Sequence, residues 1–401
     1  RETHFLLGYQ DKFAGWPGMY TGFASLPETD QTRMGLALLD HGWSSIDGAW
    51  RIGAAYRWLE NDYDFDRRTV ETGVPGAFEH ETRSASLGLS GSQYVGGIEW
   101  QVNGQVTSDR LVRSTDLTEG RFDSRTFGSI AIAPGWNRDF SGGARAELRA
   151  GLRVDWSNRD ENTLAPILSL SFERPVSSGL DRFHLAYARS SQLPGYTALN
   201  SRPAGLFGGN PDLGREYAST LSAGWTRKTA DWTVSATVFS RRDDDLVDWT
   251  YRSDTPSVRQ ANAVDIDVVG FESLLSWSSE RLQLIGGYTW LDKDADYGTA
   301  EIDASYYALN FARHRLTLAA IYQPIAHWEL RLDNEYRIQQ ENALRSSAER
   351  ACLVSLSLAW LLQSGHRLQL VADNLGDSDF QEFPGTPPMG RQVSLVFGLD
   401  W

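Results

Sequence analysis

The chain is poor in the features that mark most soluble proteins and most helical membrane proteins. It has one cysteine, Cys352, in 401 residues, so it forms no intrachain disulfide and no thiolate metal cluster. Lysine is almost missing, occurring only at positions 12, 228 and 293, and the formal net charge is −14. A phosphate-binding surface needs basic residues clustered on one face, so this balance argues against nucleic acid as a partner. The seven histidines are scattered without HxH or HxxxH spacing, which gives no footing for a histidine metal site. No stretch approaches the roughly 18 consecutive apolar residues of a spanning helix, and the mean hydropathy is negative. Helical periodicity is absent as well: no segment repeats its apolar residues every 3.6 positions. Nothing resembles a nucleophile elbow, a zinc-protease helix or a phosphate loop, so neither catalysis nor a cofactor is expected.

Alternation takes the place of helical periodicity. In residues 144–156, Ala144, Ala146, Leu148, Ala150, Leu152, Val154 and Trp156 fall on one face of an extended chain, and Arg145, Glu147, Arg149, Arg153 and Asp155 on the other. A soluble sandwich would bury neither face comfortably. Residues 231–239 and 351–360 repeat the pattern with Ser and Thr on the polar face. Apolar outside and polar inside is the period of a membrane-spanning β-barrel, whose average hydropathy stays polar because only alternate residues meet lipid. The pattern gives about eighteen strands. The fold class is all-β: a transmembrane antiparallel up-and-down barrel occupying 1–401.

Connections alternate in length. Reversals around Lys228–Asp231, Ser278–Glu280, Pro324–His327 and Gln363–His366 take a few residues, whereas 12–27, 60–80, 191–215, 241–265, 292–307 and 379–389 are long and rich in Gly, Pro, Asp and Tyr. Short turns belong on the periplasmic side and long loops outside, which sorts the two ends and places the protein in a bacterial outer membrane, in contact with lipid and lipopolysaccharide. Trp50, Trp232, Trp277, Trp328 and Trp401 adjoin the short turns, and Trp58, Trp156, Tyr288 and Trp290 lie near the outer ends, making two aromatic girdles. In the last strand Val393, Leu395, Phe397, Leu399 and Trp401 alternate and finish on an aromatic residue. This looks like the signature read by the barrel assembly machinery.

Several stretches resemble one family, the TonB-dependent outer-membrane transporters. Gln192-Leu193-Pro194-Gly195-Tyr196 leading to Gly209-Asn210-Pro211-Asp212-Leu213 and Glu216 resembles the family's mid-barrel loop, with Gly214-Arg215 where the family usually has Pro before Glu. Asn262 with Gly270-Phe271-Glu272 resembles its "N…GxE" strand, with Glu272 directed into the lumen. Asp373-Asn374-Leu375-Gly376-Asp377, then Pro384-Gly385-Thr386-Pro387 and Gly390-Arg391, resembles its closing hairpin, and Gly8-Tyr9-Gln10-Asp11-Lys12-Phe13 with Tyr20 fits an early strand of the cobalamin-receptor-like group. The resemblance implies a barrel of about 22 strands, with four strands and a plug domain carrying the TonB contact upstream of Arg1. It also implies import of a scarce bulky metal chelate, a ferric siderophore or cobalamin, coupled to TonB through that plug. A passive diffusion porin of about eighteen strands is the alternative of a different class.

Two sets of residues follow as candidates. Arg145, Glu147, Arg149, Arg153, Asp155 and Glu272 line the lumen and are expected to hold a plug. Trp16, Tyr20, Tyr63, Tyr196, Arg202, Phe207, Trp249, Tyr251 and Arg345, on the outside loops, could clasp a ligand by stacking and charge. Asp243-Asp244-Asp245 with Asp248 invites a calcium reading, but the spacing lacks a glycine-turned loop and favours a solvated loop.

Overall fold

Residues with alternating faces can satisfy their backbone groups in a membrane only by pairing with neighbouring strands, and the computed structural model shows that pairing throughout. It describes residues 1–18, 20, 26–66, 77–202, 206–256, 258–362 and 365–399. In chain order the elements are β1 (Glu2–Pro17), β2 (Pro27–Ser44), β3 (Gly48–Asp64), β4 (Ala77–Val95), β5 (Ile98–Ser114), β6 (Ser124–Asp139) and β7 (Arg145–Ser157). There follow β8 (Thr163–Val176), β9 (Gly179–Gln192), a single helical turn α1 (Tyr196–Asn200), the two-residue β10 (Phe207–Gly208), β11 (Glu216–Thr229), β12 (Trp232–Tyr251) and β13 (Arg259–Ser278). Last come β14 (Leu282–Asp296), the two-residue β15 (Ala304–Ser305), β16 (Ala312–Ile325), β17 (Trp328–Gln339), β18 (Arg350–Leu361), β19 (His366–Asp373) and β20 (Gln392–Leu399).

All of them join one sheet, and each long strand runs antiparallel to its neighbours. Leaving out β10 and β15, eighteen strands cross the membrane band, which is the number expected from the alternation. The strands reach further than the sequence pattern suggested. β12 continues to Tyr251 and β13 starts at Arg259, so most of the expected loop 241–265 is a long hairpin standing above the band. The acidic run lies in this hairpin, not in a solvated loop: Arg241 pairs with Asp243 at 2.6 Å and Arg242 with Asp244 at 2.7 Å.

The register confirms which face is which. Leu152 pairs with Ile132 and Val154 with Ile130, a continuous apolar outer surface whose members are 37–53% exposed. That exposure suits lipid and would be costly in water. Tryptophans face each other across strands near the short turns, as Trp43 with Trp50, Trp232 with Trp277, and Trp328 stacked on Trp360 at 5.9 Å. Two of the girdle rings lie over glycine. An added Cβ at Gly91 or Gly128 would come within 2.5 Å of the ring of Trp50 or Trp156. In the closing strand Val393, Leu395 and Phe397 are 59–71% exposed and continue the outer face through their partners Ala372, Leu370 and Leu368. The side chain of Leu399 and all of Trp401 fall outside the described residues.

Fully buried apolar side chains gather at the outer end instead. One cluster packs Val264, Ile266, Val268 and Ala308 against Phe239, Leu246, Leu291, Ala295 and Tyr297. Another packs Leu111, Leu117 and Tyr196 with Phe122. The molecule's dry core is therefore its mouth.

Candidate functional site

Strands that overrun the membrane bring side chains into a common space at the mouth, from the inner face of β3 and β4 and, on β12, from the face opposite Val264 and Ile266. On β3 the inner face ends in Asn61 and Tyr63, and on β4 in His80 and Phe78; these pairs sit directly across from one another in the ladder. β12 contributes Val247 and Trp249, β1 contributes Trp16 and the segment after it Tyr20, and β10 contributes Phe207. Together with Asp30, Asp116, Arg259 and the backbone around α1 they enclose a cavity of about 550 Å³.

Aromatic contacts organise the cavity wall. Tyr20 is central: its ring stacks on Trp16 at 5.8 Å and meets Tyr63 at 5.4 Å and Phe207 at 5.2 Å edge-on. Phe207 in turn meets Trp249 at 5.7 Å, and Tyr63 stacks on Phe78 at 5.9 Å. Edge-on and offset contacts of this kind are each worth about 0.5–1.5 kcal/mol beyond simple burial. The backbone N–H of Tyr20 donates to both carboxylate oxygens of buried Glu28, at 2.9 and 3.1 Å. Burial, together with the nearby Glu28 carboxylate, pushes the Tyr63 hydroxyl pKa far above its usual value. Both tyrosines are thus neutral apolar walls with a polar tip. The Arg259 guanidinium lies 5.2 Å from the Tyr20 ring centre and 3.8 Å from that of Tyr306.

The polar lining is mostly acidic. Asp30 accepts from the Asn61 amide at 2.6 Å and from the Thr32 hydroxyl at 3.1 Å. His80 hydrogen-bonds Ser114 through Nδ1 at 2.9 Å and approaches Asp116 through Nε2 at 3.4 Å. Burial lowers the His80 pKa and raises that of Asp116, while each partner opposes the other's shift.

A β-bulge decides which side of β12 meets the cavity. Asp243 pairs with Ile266, but Leu246 pairs with Val264, so β12 carries one extra residue opposite Asp265. Asp245 takes the left-handed conformation (φ 56°), and its N–H donates to Asp265 at 2.9 Å. After the bulge the even positions join the cluster of Val264 and Ile266, with Asp248 buried against the Tyr297 hydroxyl and the Ala308 N–H. Val247 and Trp249 are left facing the cavity. Bulges are used at such sites to re-aim side chains.

Five of the nine outside-loop candidates meet here: Trp16, Tyr20, Tyr63, Phe207 and Trp249. Tyr196 stands behind them. Its hydroxyl donates to Asp109 at 2.6 Å, Arg125 lies over its ring at 4.9 Å, and it anchors the turn whose Gly195, Thr197 and Ala198 line the cavity. Arg202 is exposed near Asp116, and Tyr251 pairs with Ala304 at the hairpin end. Arg345 packs elsewhere, binding the carbonyls of Gln340 and Gln381 and the side chain of Asn310. Sequence reasoning missed Phe78, His80, Asp116 and Arg259. For Phe78 and His80 the signal was present, because they continue the inward alternation of β4 beyond the membrane.

Lower in the lumen the expected charged row points inward and is paired within the wall. Arg149 bridges Glu99 at 2.8 Å and Glu147 at 3.0 Å and donates to the Ala133 carbonyl at 3.2 Å. Arg153 pairs with Asp155, which also accepts from Ser191. Arg145 sits opposite Glu173, and Glu272 opposite Thr237; both are exposed to the lumen. Among the described residues no group of three or more His, Cys, Asp and Glu is placed to hold a metal.

No curated protein sequence matches the chain. Solved structures with the same architecture include the copper transporter OprC (15% identity, TM-score 0.69, 98% of this chain and 68% of that one). The FrpB iron transporter from Neisseria meningitidis, as apoprotein, is 12% identical with a TM-score of 0.67, over 98% of this chain and 68% of that one. The unliganded ferric citrate transporter FecA is 14% identical with a TM-score of 0.62, over 98% and 66%. At these identities the likeness concerns the fold alone, and the chain spans about two thirds of those proteins' lengths. A family profile described as "TonB dependent receptor-like, beta-barrel" matches residues 3–375, nearly the whole chain and every residue lining the cavity, and by that match the chain belongs to the TonB-dependent receptor β-barrel family of the outer membrane.

Proposed function

We propose that this barrel is the membrane part of an energy-coupled importer that captures a scarce, bulky ligand at its outer mouth. The observation that carries this reading is the convergence of Trp16, Tyr20, Tyr63, Phe207 and Trp249 on one cavity of about 550 Å³ above the lumen. A solute too large for a general pore has to be recognised at low concentration, which needs several rigid aromatic contacts at once. A passive pore needs no such wall. The lumen below supports the reading through its paired but accessible charged row, to which a plug would dock by polar contacts, Arg145 and Glu272 being free to accept new partners. Coupling then runs through the plug to TonB. A metal chelate is the leading ligand class, in keeping with the copper, iron and ferric citrate transporters of the same fold.

Labelled uptake by cells expressing the full-length gene, with and without TonB, tests this. The expected result is saturable uptake that needs TonB and is lost when residues 193–213 are deleted while the barrel still inserts. Uptake that ignores TonB and rises linearly with concentration would instead identify a passive pore.

A further inference from the structure

We infer, resting on the importer reading, that the mouth cavity selects an uncharged or cationic ligand with a broad flat apolar surface and excludes polyanionic chelates. The wall offers π faces, which favour flat apolar groups and cations alike. Its charges point the same way. Among the described lining residues Asp30 and Asp116 are carboxylates, and the only arginine or lysine, Arg259, is laid against the rings of Tyr20 and Tyr306. On the outward face of the same wall Arg33 pairs with Glu60 at 3.2 Å and Arg113 with Glu79, while Arg202 stands exposed near Asp116. An anion of several charges would leave water for a site whose two carboxylates outnumber its one guanidinium, itself laid against aromatic rings, which is the reverse of how anions are held. A neutral ligand meets a better match. The indole N–H of Trp16 is buried and has no acceptor among the described residues, so it can donate to a carbonyl or amide oxygen of the ligand.

Two dyes on one xanthene scaffold separate charge from shape: rhodamine 6G, a cation, and sulforhodamine B, an anion. Binding of each to the full-length receptor in lipid nanodiscs is measured by fluorescence anisotropy, and the part lost in Trp249→Ala is taken as cavity binding. The expected result is a cavity affinity at least tenfold higher for the cation, with the ratio falling toward one in Asp30→Asn/Asp116→Asn. Equal binding, or tighter binding of the anion, overturns the charge selection. Binding of both dyes unchanged by Trp249→Ala overturns the cavity as the site. Neither outcome touches the importer reading, which stands or falls on TonB-dependent uptake.

Discussion

The membrane band and the mouth are built from the same strands by opposite rules. In the band, large apolar residues such as Leu148, Leu152 and Leu318 are 40–53% exposed on the outer face, and the inner face is charged. Above the outer girdle the buried apolar residues Val264, Ile266, Val268 and Tyr63 turn inward. Solvent explains the inversion: lipid rewards apolar groups outside, whereas water above the headgroups rewards burying them. The switch is made partly by bulges on the outer half of the strands, at Glu81/Thr82, Asp243/Leu246 and Ala312/His314, while a fourth irregularity, at Tyr322/Ile325, lies beside a short turn. What differs between the two regions is thus the medium as well as the residues.

The largest effect should come from forcing the mouth's chemistry onto the band. Leu152→Arg, on the lipid face, is expected to cost about 2–4 kcal/mol of barrel stability near the bilayer midplane, and Leu395→Arg a similar amount in the closing strand. Ser394→Arg, pairing with Val371 on the inner face, should cost far less. Urea unfolding in lipid vesicles measures all three, and equal costs would erase the distinction between faces.

Next is the bulge. Deleting Asp245 restores even register and should exchange Leu246 and Asp248 with Val247 and Trp249, pulling the tryptophan out of the cavity and Asp248 away from Tyr297. Saturable ligand binding should weaken on the order of 30- to 100-fold, about 2–3 kcal/mol, with the barrel still inserted.

A smaller effect is expected in the lumen. Arg149→Ala leaves Glu99 and Glu147 without their shared cation and should cost about 1–2 kcal/mol, because lumen water replaces part of the lost contacts. Arg149→Lys should recover only part, since one ammonium cannot fork between two carboxylates and a carbonyl.

The smallest effect is one of pH. Burial, reinforced by Arg113 and opposed by Asp116 and Asp62, holds the His80 pKa below its ordinary 6.5. The unfolded mouth therefore binds the proton more readily than the folded one. The stability that neutral His80 gives is fully present above pH 6.5 and is lost progressively as the pH falls from there through the lower value His80 has in the folded mouth. Protection factors at the ends of β4 and β5, corrected for the intrinsic pH dependence of amide exchange, should fall between pH 7.5 and 5.5, and His80→Gln should flatten the response.

The band was legible in the sequence because its rule is strictly local. Seven alternating residues from Ala144 to Trp156 state both faces, and counting such runs yields the eighteen long strands. The mouth was legible in composition only. Its aromatic residues stood out as candidates, and five of them meet, yet their meeting depends on contacts between β1, β3, β4, β10 and β12 that no local period encodes. Arg345 had the same chemical profile as the others and packs into a different loop network. The bulge was hidden for a related reason: an inserted residue in an acidic run reads as a loop until the partner strand shows that it is paired.

Thiol labelling tests the inversion most directly. In full-length protein with Cys352→Ser, cysteine is introduced at Val247 or at Leu246 and exposed to a small charged thiol reagent from outside the cell. The account predicts rapid modification at 247, which faces the open cavity, and protection at 246, which packs against Val264. Native Cys352, beside Tyr336 on the lipid face, should react only with an apolar reagent. Protection at 247 with rapid reaction at 246 would mean that the alternation runs unbroken through β12, and the mouth as described would be contradicted.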